Sequence, residues 1–161
     1  MPRIELATVI AAPIERVFDL ARSIDLHSDS MAHTGERAVG GVTSGLIGLG
    51  EMVTWRARHF GVWQGLTSRI TLYERPTLFG DAMVSGAFRR FDHEHRFETQ
   101  PDGSTLMRDV FDYTSPLGVL GHVADVLFLA HYMRSLLERR NAMLKETAES
   151  PDRWRRYLPA P

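Results

Sequence analysis

The sequence predicts an α+β domain in which a curved, seven-stranded antiparallel sheet wraps around one long C-terminal helix. Three observations carry that class. A single strand-like run opens the chain and is followed by two short helical stretches; six further strand-like runs come without a helix between them; one long apolar-striped helical stretch ends the domain. Strands joined without helical crossovers pair antiparallel. A lone helix cannot bury its apolar stripe by itself, so it must lie on the sheet's concave face.

Arg3 to Ala11 alternates, with Ile4, Leu6, Thr8 and Ile10 on one face. Pro13 suits a helix start, and Ile14, Val17, Phe18 and Ala21 follow at helical spacing. Ser23 to Met31 gives a second short helix of low propensity. Glu36 to Thr43 reads as a strand that runs into the glycine-interrupted TSGLIGLGE. Glu51, Val53, Trp55, Ala57 and His59 then share an inward face. Across Trp63 to Tyr73 the inward set is Gln64, Leu66, Ser68, Ile70 and Leu72. Phe79, Asp81 and Met83 share the next face, and a bulge near Gly86 would bring Phe88 into phase. His93, His95 and Phe97 line up after it, PDG at 101–103 marks a hairpin, and Thr105, Met107, Asp109, Phe111 and Tyr113 give the cleanest alternation. Leu117 to about Thr147 reads as one helix of ~45 Å, striped by Val119, Val123, Val126, Leu127, Ala130, Met133, Leu137 and Leu144. Val123, Leu127 and Leu137 are expected to be buried on the sheet.

The 161 residues suit one domain, 1–150, with a tail at 151–161. A formal net charge of −1 gives no reason to expect a nucleic-acid partner. The absence of cysteine excludes disulfides and thiolate chemistry. His122, Asp125, His131 and Arg134 break the apolar run of the last helix well short of ~20 residues, so no integral membrane segment is expected. MPRIELATVI lacks the pattern of a secretion signal, and a cytoplasmic location is expected. The tail PDRWRRYLPAP leaves Trp154 either docked on the domain or presented to a partner.

The strings GEMVTWRARHFG, LTSRIT, FGDAMVSGAF, FDHEHRFE and STLMRDVFDYTSPLG, in this order of elements, resemble the START-like helix-grip superfamily (SRPBCC). Within it they are similar to the bacterial polyketide cyclase/dehydratase-like branch often labelled cell-division inhibitor. The resemblance runs from Ile4 to about Leu144. It implies a ligand cavity between sheet and helix, a glycine-rich loop at Gly45 to Gly50 between the second and third strands, and Trp55, His59, Asp81, Met83, His93, His95, Met107 and Asp109 along the cavity side. It implies no particular reaction, because the superfamily shares a cavity and not a chemistry.

The glycines of GLIGLGE lack the Lys-Ser/Thr of a phosphate loop and read as a connection between strands. His93-x-His95 puts two imidazoles on one face, and with Glu51 or Asp81 they match the donor types of a two-His, one-carboxylate site. Histidines satisfied by hydrogen bonds are the simpler expectation, with no metal and no cofactor. Counting the ladder through a three-residue PDG loop sets His95 opposite Asp109, a pair suited to hydrogen bonding or to acid–base work. The expected ligand is a hydrophobic or aromatic small molecule such as a polyketide, isoprenoid, quinone or acyl lipid. Trp55, Met83, Phe88 and Met107 would form walls, and Glu51, His59, Asp81, His93, His95 and Asp109 would hold a polar end. The alternatives are a cyclase or dehydratase using His95 and Asp109, and an interaction module acting through the tail.

Overall fold

A computed structural model describes residues 2–115, 123 and 128–160. Strand β1 (Arg3–Ile10) leads into α1 (Ile14–Ala21), α2 (Ile24–Ser30) and a 3-10 turn (Ala32–Thr34). Six strands follow: β2 (Arg37–Gly41), β3 (Met52–His59), β4 (Val62–Glu74), β5 (Leu78–Ser85), β6 (Arg90–Thr99) and β7 (Thr105–Thr114). Helix α3 (Ala130–Glu149) completes the fold, with a second 3-10 turn (Arg153–Arg156) beyond it. The strands form one antiparallel sheet in the order β1-β7-β6-β5-β4-β3-β2, so α1 and α2 carry the chain from one edge to the other. This is the helix-grip arrangement that the pattern predicts.

Local chemistry explains the short helices. Pro13 caps α1, where a missing N–H is harmless, and Val17, Phe18, Leu20 and Ala21 are buried. Phe18 is the hub of the core, meeting Tyr73, Phe79 and Phe97 edge-on at centroid distances of 5.5, 5.4 and 5.4 Å. Ser23 caps α2 by accepting from the Leu26 amide at 3.2 Å. Asp25 of α2 also accepts from the Gly45 amide at 2.8 Å, tying the glycine-rich loop to the helix. The Ser and Asp residues that lower the propensity of this segment are therefore also what pin it.

Two strand assignments depart from simple alternation, and both trace to register shifts in the β4–β5 pair. Leu72, expected inward, is exposed, because the ladder jumps from Ile70↔Asp81 to Leu72↔Gly80 and Thr71 is the extra residue. The inward place passes to Tyr73, which packs on Phe18. A second shift lies between Thr67 and Ser68, opposite Val84, and β5 then stops at Ser85. Phe88 thus reaches the interior from the β5–β6 loop rather than from a bulged strand.

Helix α3 packs against β1, α1 and α2 and buries Leu136, Leu137, Asn141, Leu144, Thr147 and Ala148. Leu137 is buried as expected, whereas Val123 is 57% exposed, so the buried stripe does not extend to it. Leu127, with Val119 and Val126, lies outside the described residues. Among the described residues no helix is long and apolar enough to cross a membrane. The tail is docked: the Arg16 guanidinium stacks 4.4 Å above the Trp154 ring, and the Tyr157 hydroxyl donates to Asp29 at 2.7 Å.

Gly41, at φ +67, closes the β2 edge, and a Cβ there would collide with the Met52 carbonyl. Gly41→Ala is expected to destabilise the domain by about 2 kcal/mol or more. A urea melt with an unchanged midpoint would show that this edge can yield.

Candidate functional site

The PDG hairpin sets the register of the site. Gly103 adopts φ +83, and the Gln100 amide donates to the Ser104 carbonyl at 2.8 Å. Counting back from this loop pairs Phe97 with Met107, His95 with Asp109 and His93 with Phe111. On the other side of β6, β5 pairs Asp81 with His93 and Phe79 with His95. Asp81, His93, His95 and Asp109 thus form a diagonal polar row across three strands on the inward face.

Asp109 is the keystone of that row and is 1% exposed. Its Oδ1 lies 2.6 Å from His95 Nδ1 and 3.4 Å from His93 Nε2, close polar contacts without good hydrogen-bond alignment. Its Oδ2 accepts from the Asn141 side-chain amide of α3 at 2.5 Å. Burial alone would raise the Asp109 pKa, but the two imidazoles outweigh it and hold the carboxyl well below the usual range. Burial pushes His95 down to about 3, helped by His93 and Arg140 and opposed by Asp109. The pair therefore stands as carboxylate and neutral imidazole at neutral pH. The His95 ring also stacks on Phe79, with centroids 4.3 Å apart.

Above the row lies a cavity of about 450 Å³ between sheet and helix. Its walls include Ile47, Trp55, Ile70, Phe79, Phe88 and Leu137. A second polar group faces it from the β2–β3 side. Glu36 lies 2.5 Å from His27 Nε2, and His27 stacks on Trp55 with centroids 4.2 Å apart. His59 Nδ1 lies 2.8 Å from the Tyr132 hydroxyl of α3. Burial would raise Glu36, yet His27, His59 and Arg140 hold it low, whereas burial lowers His59.

Of the residues expected to form the site, Trp55, His59, Asp81, Phe88, His93 and His95 line the cavity. Glu51, Met83, Met107 and Asp109 do not. Glu51 precedes β3 and turns its carboxylate to the Gly48 amide at 2.7 Å, because the loop amide needs an acceptor there. Met107 is 1% exposed inside the α1 core, and Met83 packs in the aromatic cluster around Phe91 and Tyr113. Asp109 lies behind the histidines, reaching the cavity only through them. Alternation alone cannot tell wall from core, since both are inward.

His27, Glu36, Tyr132 and Arg140 also line the cavity, and the strand alternation gives no sign of them. Arg140 and Asn141 do carry a signal: polar residues spaced three and four from Leu137 and Leu144 fall on the buried stripe. Asp81, His93 and His95 bring donor atoms within 4.8 Å of one another, and their types suit a first-row divalent ion. The positive Arg140, whose field reaches His95, opposes a cation there.

Fold and cavity together define a START-like helix-grip protein. The chain belongs to the family described as polyketide cyclase / dehydrase and lipid transport, whose model matches residues 1–149. No curated protein matches it. A protein from Thermus thermophilus is similar in structure, with TM-score 0.69 and 17% identity over 89% of this chain and 97% of that one. A START superfamily protein from Mycobacterium smegmatis gives TM-score 0.68 at 12% identity, covering 91% of this chain and 97% of that one. Major latex-like protein 151 from Panax ginseng gives 0.67 at 13%, covering 92% and 98%. At these identities the likeness is one of fold.

Proposed function

We propose that the protein binds a hydrophobic or aromatic small molecule with a polar end, of the polyketide, isoprenoid, quinone or acyl-lipid kind. One observation carries the reading: a cavity of about 450 Å³ whose aromatic and aliphatic walls converge on a few buried polar groups. That volume falls in the range of small-molecule sites, in which apolar walls supply affinity and sparse polar groups set orientation. Trp55 and Phe88 serve as walls, and Asp81, His93, His95 and His59 meet the polar end. The family description, which joins cyclases with lipid transport, supports the same class.

Titration with fluorescent fatty acids and quinones is expected to change tryptophan emission saturably, and Trp55→Phe to remove much of the change. The indole, 7% exposed and stacked on His27, reports directly on the cavity. No saturable response to any apolar probe would overturn the reading.

A second reading, a cyclase or dehydratase, is favoured by the 2.6 Å approach of the Asp109 carboxylate to His95, whose ring lines the cavity. An oriented imidazole beside a bound carbonyl compound is the arrangement general acid–base chemistry needs. Turnover of a test polyketide, lost in His95→Ala, separates the enzyme from the carrier.

A further inference from the structure

We propose that Arg140 is the seat of an anionic head group, so that the ligand of the cavity is an amphiphile carrying a carboxylate. The inference rests on the ligand-binding reading above and narrows it to a chemical class.

Arg140, half-buried beside the buried stripe of α3, lines the cavity. Its Nη2 donates to the Ala21 carbonyl at 2.9 Å, and among the described residues it forms no ion pair. A guanidinium has five N–H donors, so most of its hydrogen-bonding capacity is unspent. Arg22, the other arginine on the cavity wall, is taken: it pairs with Asp19 at 2.9 Å and donates to the Ile47 carbonyl at 3.1 Å.

Of the carboxylates around the cavity, Glu36 is held by His27 at 2.5 Å, Asp109 by Asn141 at 2.5 Å with two imidazoles around its other oxygen, and Asp81 stands beside His93 and His95 with donor atoms within 4.8 Å. Yet the charge of Arg140 is felt at both polar groups, since it depresses the pKa of Glu36 and of His95. Among the described residues it nonetheless has no carboxylate within ion-pair distance. A cation beside apolar walls is poorly solvated and gains most from an anion brought by the ligand.

A single unpaired cation balances one negative charge, and its planar fork meets the two oxygens of one carboxylate in parallel hydrogen bonds. The apolar walls then hold the acyl or aromatic body of the same molecule.

The test compares dodecanoate with 1-dodecanol, two probes of equal chain length that differ in head-group charge, by displacement of a fluorescent apolar probe. Wild-type protein is expected to bind the acid about tenfold to a hundredfold more tightly than the alcohol, as a charge-assisted hydrogen bond allows. Arg140→Gln is expected to bring the two within about twofold while leaving the alcohol's affinity in place, and Arg140→Lys to keep part of the preference. A purely structural role through Ala21 would move both probes alike and leave their ratio intact. Alcohol binding with no acid preference in the wild-type protein, or a preference that persists in folded Arg140→Gln, overturns the inference alone. Binding of neither probe overturns it together with the ligand-binding reading.

Discussion

Lowering the pH from 6.5 toward 3 is expected to strip the folded state of stability on the order of a few kcal/mol. The main cause is His95, whose folded pKa is depressed to about 3 from 6.5 by burial. A depressed imidazole binds fewer protons folded than unfolded between those values, so its contribution is complete above the unfolded pKa and is lost as the pH falls toward the folded one. His59 is also lowered, so it acts with the same sign just below its ordinary value. Glu36, Asp19 and Asp109 are lowered as well, and their contributions fade only below the ordinary carboxylate range. A stability of ~5 to 15 kcal/mol is typical of a domain, so the loss is a large share of the whole. Urea midpoints measured from pH 7 to pH 4 check it, and His95→Asn, which retains a donor but does not titrate, is expected to flatten the profile. A wild-type midpoint that stays level across that span would mean that His95 is not held neutral by the fold.

What can be read from the sequence follows from how local each signal is. The succession of elements along the chain, the PDG loop and the His95–Asp109 pairing depend on residues a few positions apart, and the structure has them as the alternation predicts. Leu72 escapes strict alternation because an extra residue at Thr71 leaves no mark on composition and reverses the phase of everything after it. Glu51 escapes it because it shares the parity of Trp55 yet stands just before the strand, where a loop amide claims it. The polar group of His27, Glu36 and Tyr132 is invisible for another reason. It joins α2, the approach to β2 and α3, and nothing in any one segment marks them as neighbours. Asn141 is the most legible of these residues, an amide between Leu137 and Leu144 on the buried stripe.

Replacing Asp109 by alanine is expected to cost about 3 to 5 kcal/mol, because several buried polar groups lose their shared acceptor at ~1 to 3 kcal/mol each. The carboxylate is the shared neighbour of three groups: the Asn141 amide at 2.5 Å, His95 at 2.6 Å and His93 at 3.4 Å. All three would remain buried without it, and an unmet buried donor costs ~1 to 3 kcal/mol. Asp109→Asn keeps one acceptor oxygen in the same volume, and is expected to lose less. A double-mutant cycle with His95→Ala should show coupling of ~0.5 to 3 kcal/mol, because His95→Ala alone strands the carboxylate and Asp109→Ala alone strands the imidazole, while the double variant strands neither. Strictly additive losses would mean that the two groups are adjacent without being energetically paired. Asp109 does not itself line the cavity, so any effect on ligand affinity must pass through the orientation of His95 and His93. If Asp109→Asn changes the affinity for polar-headed ligands but leaves that for a plain hydrocarbon probe intact, the carboxylate sets the polar end of the site through the rings in front of it.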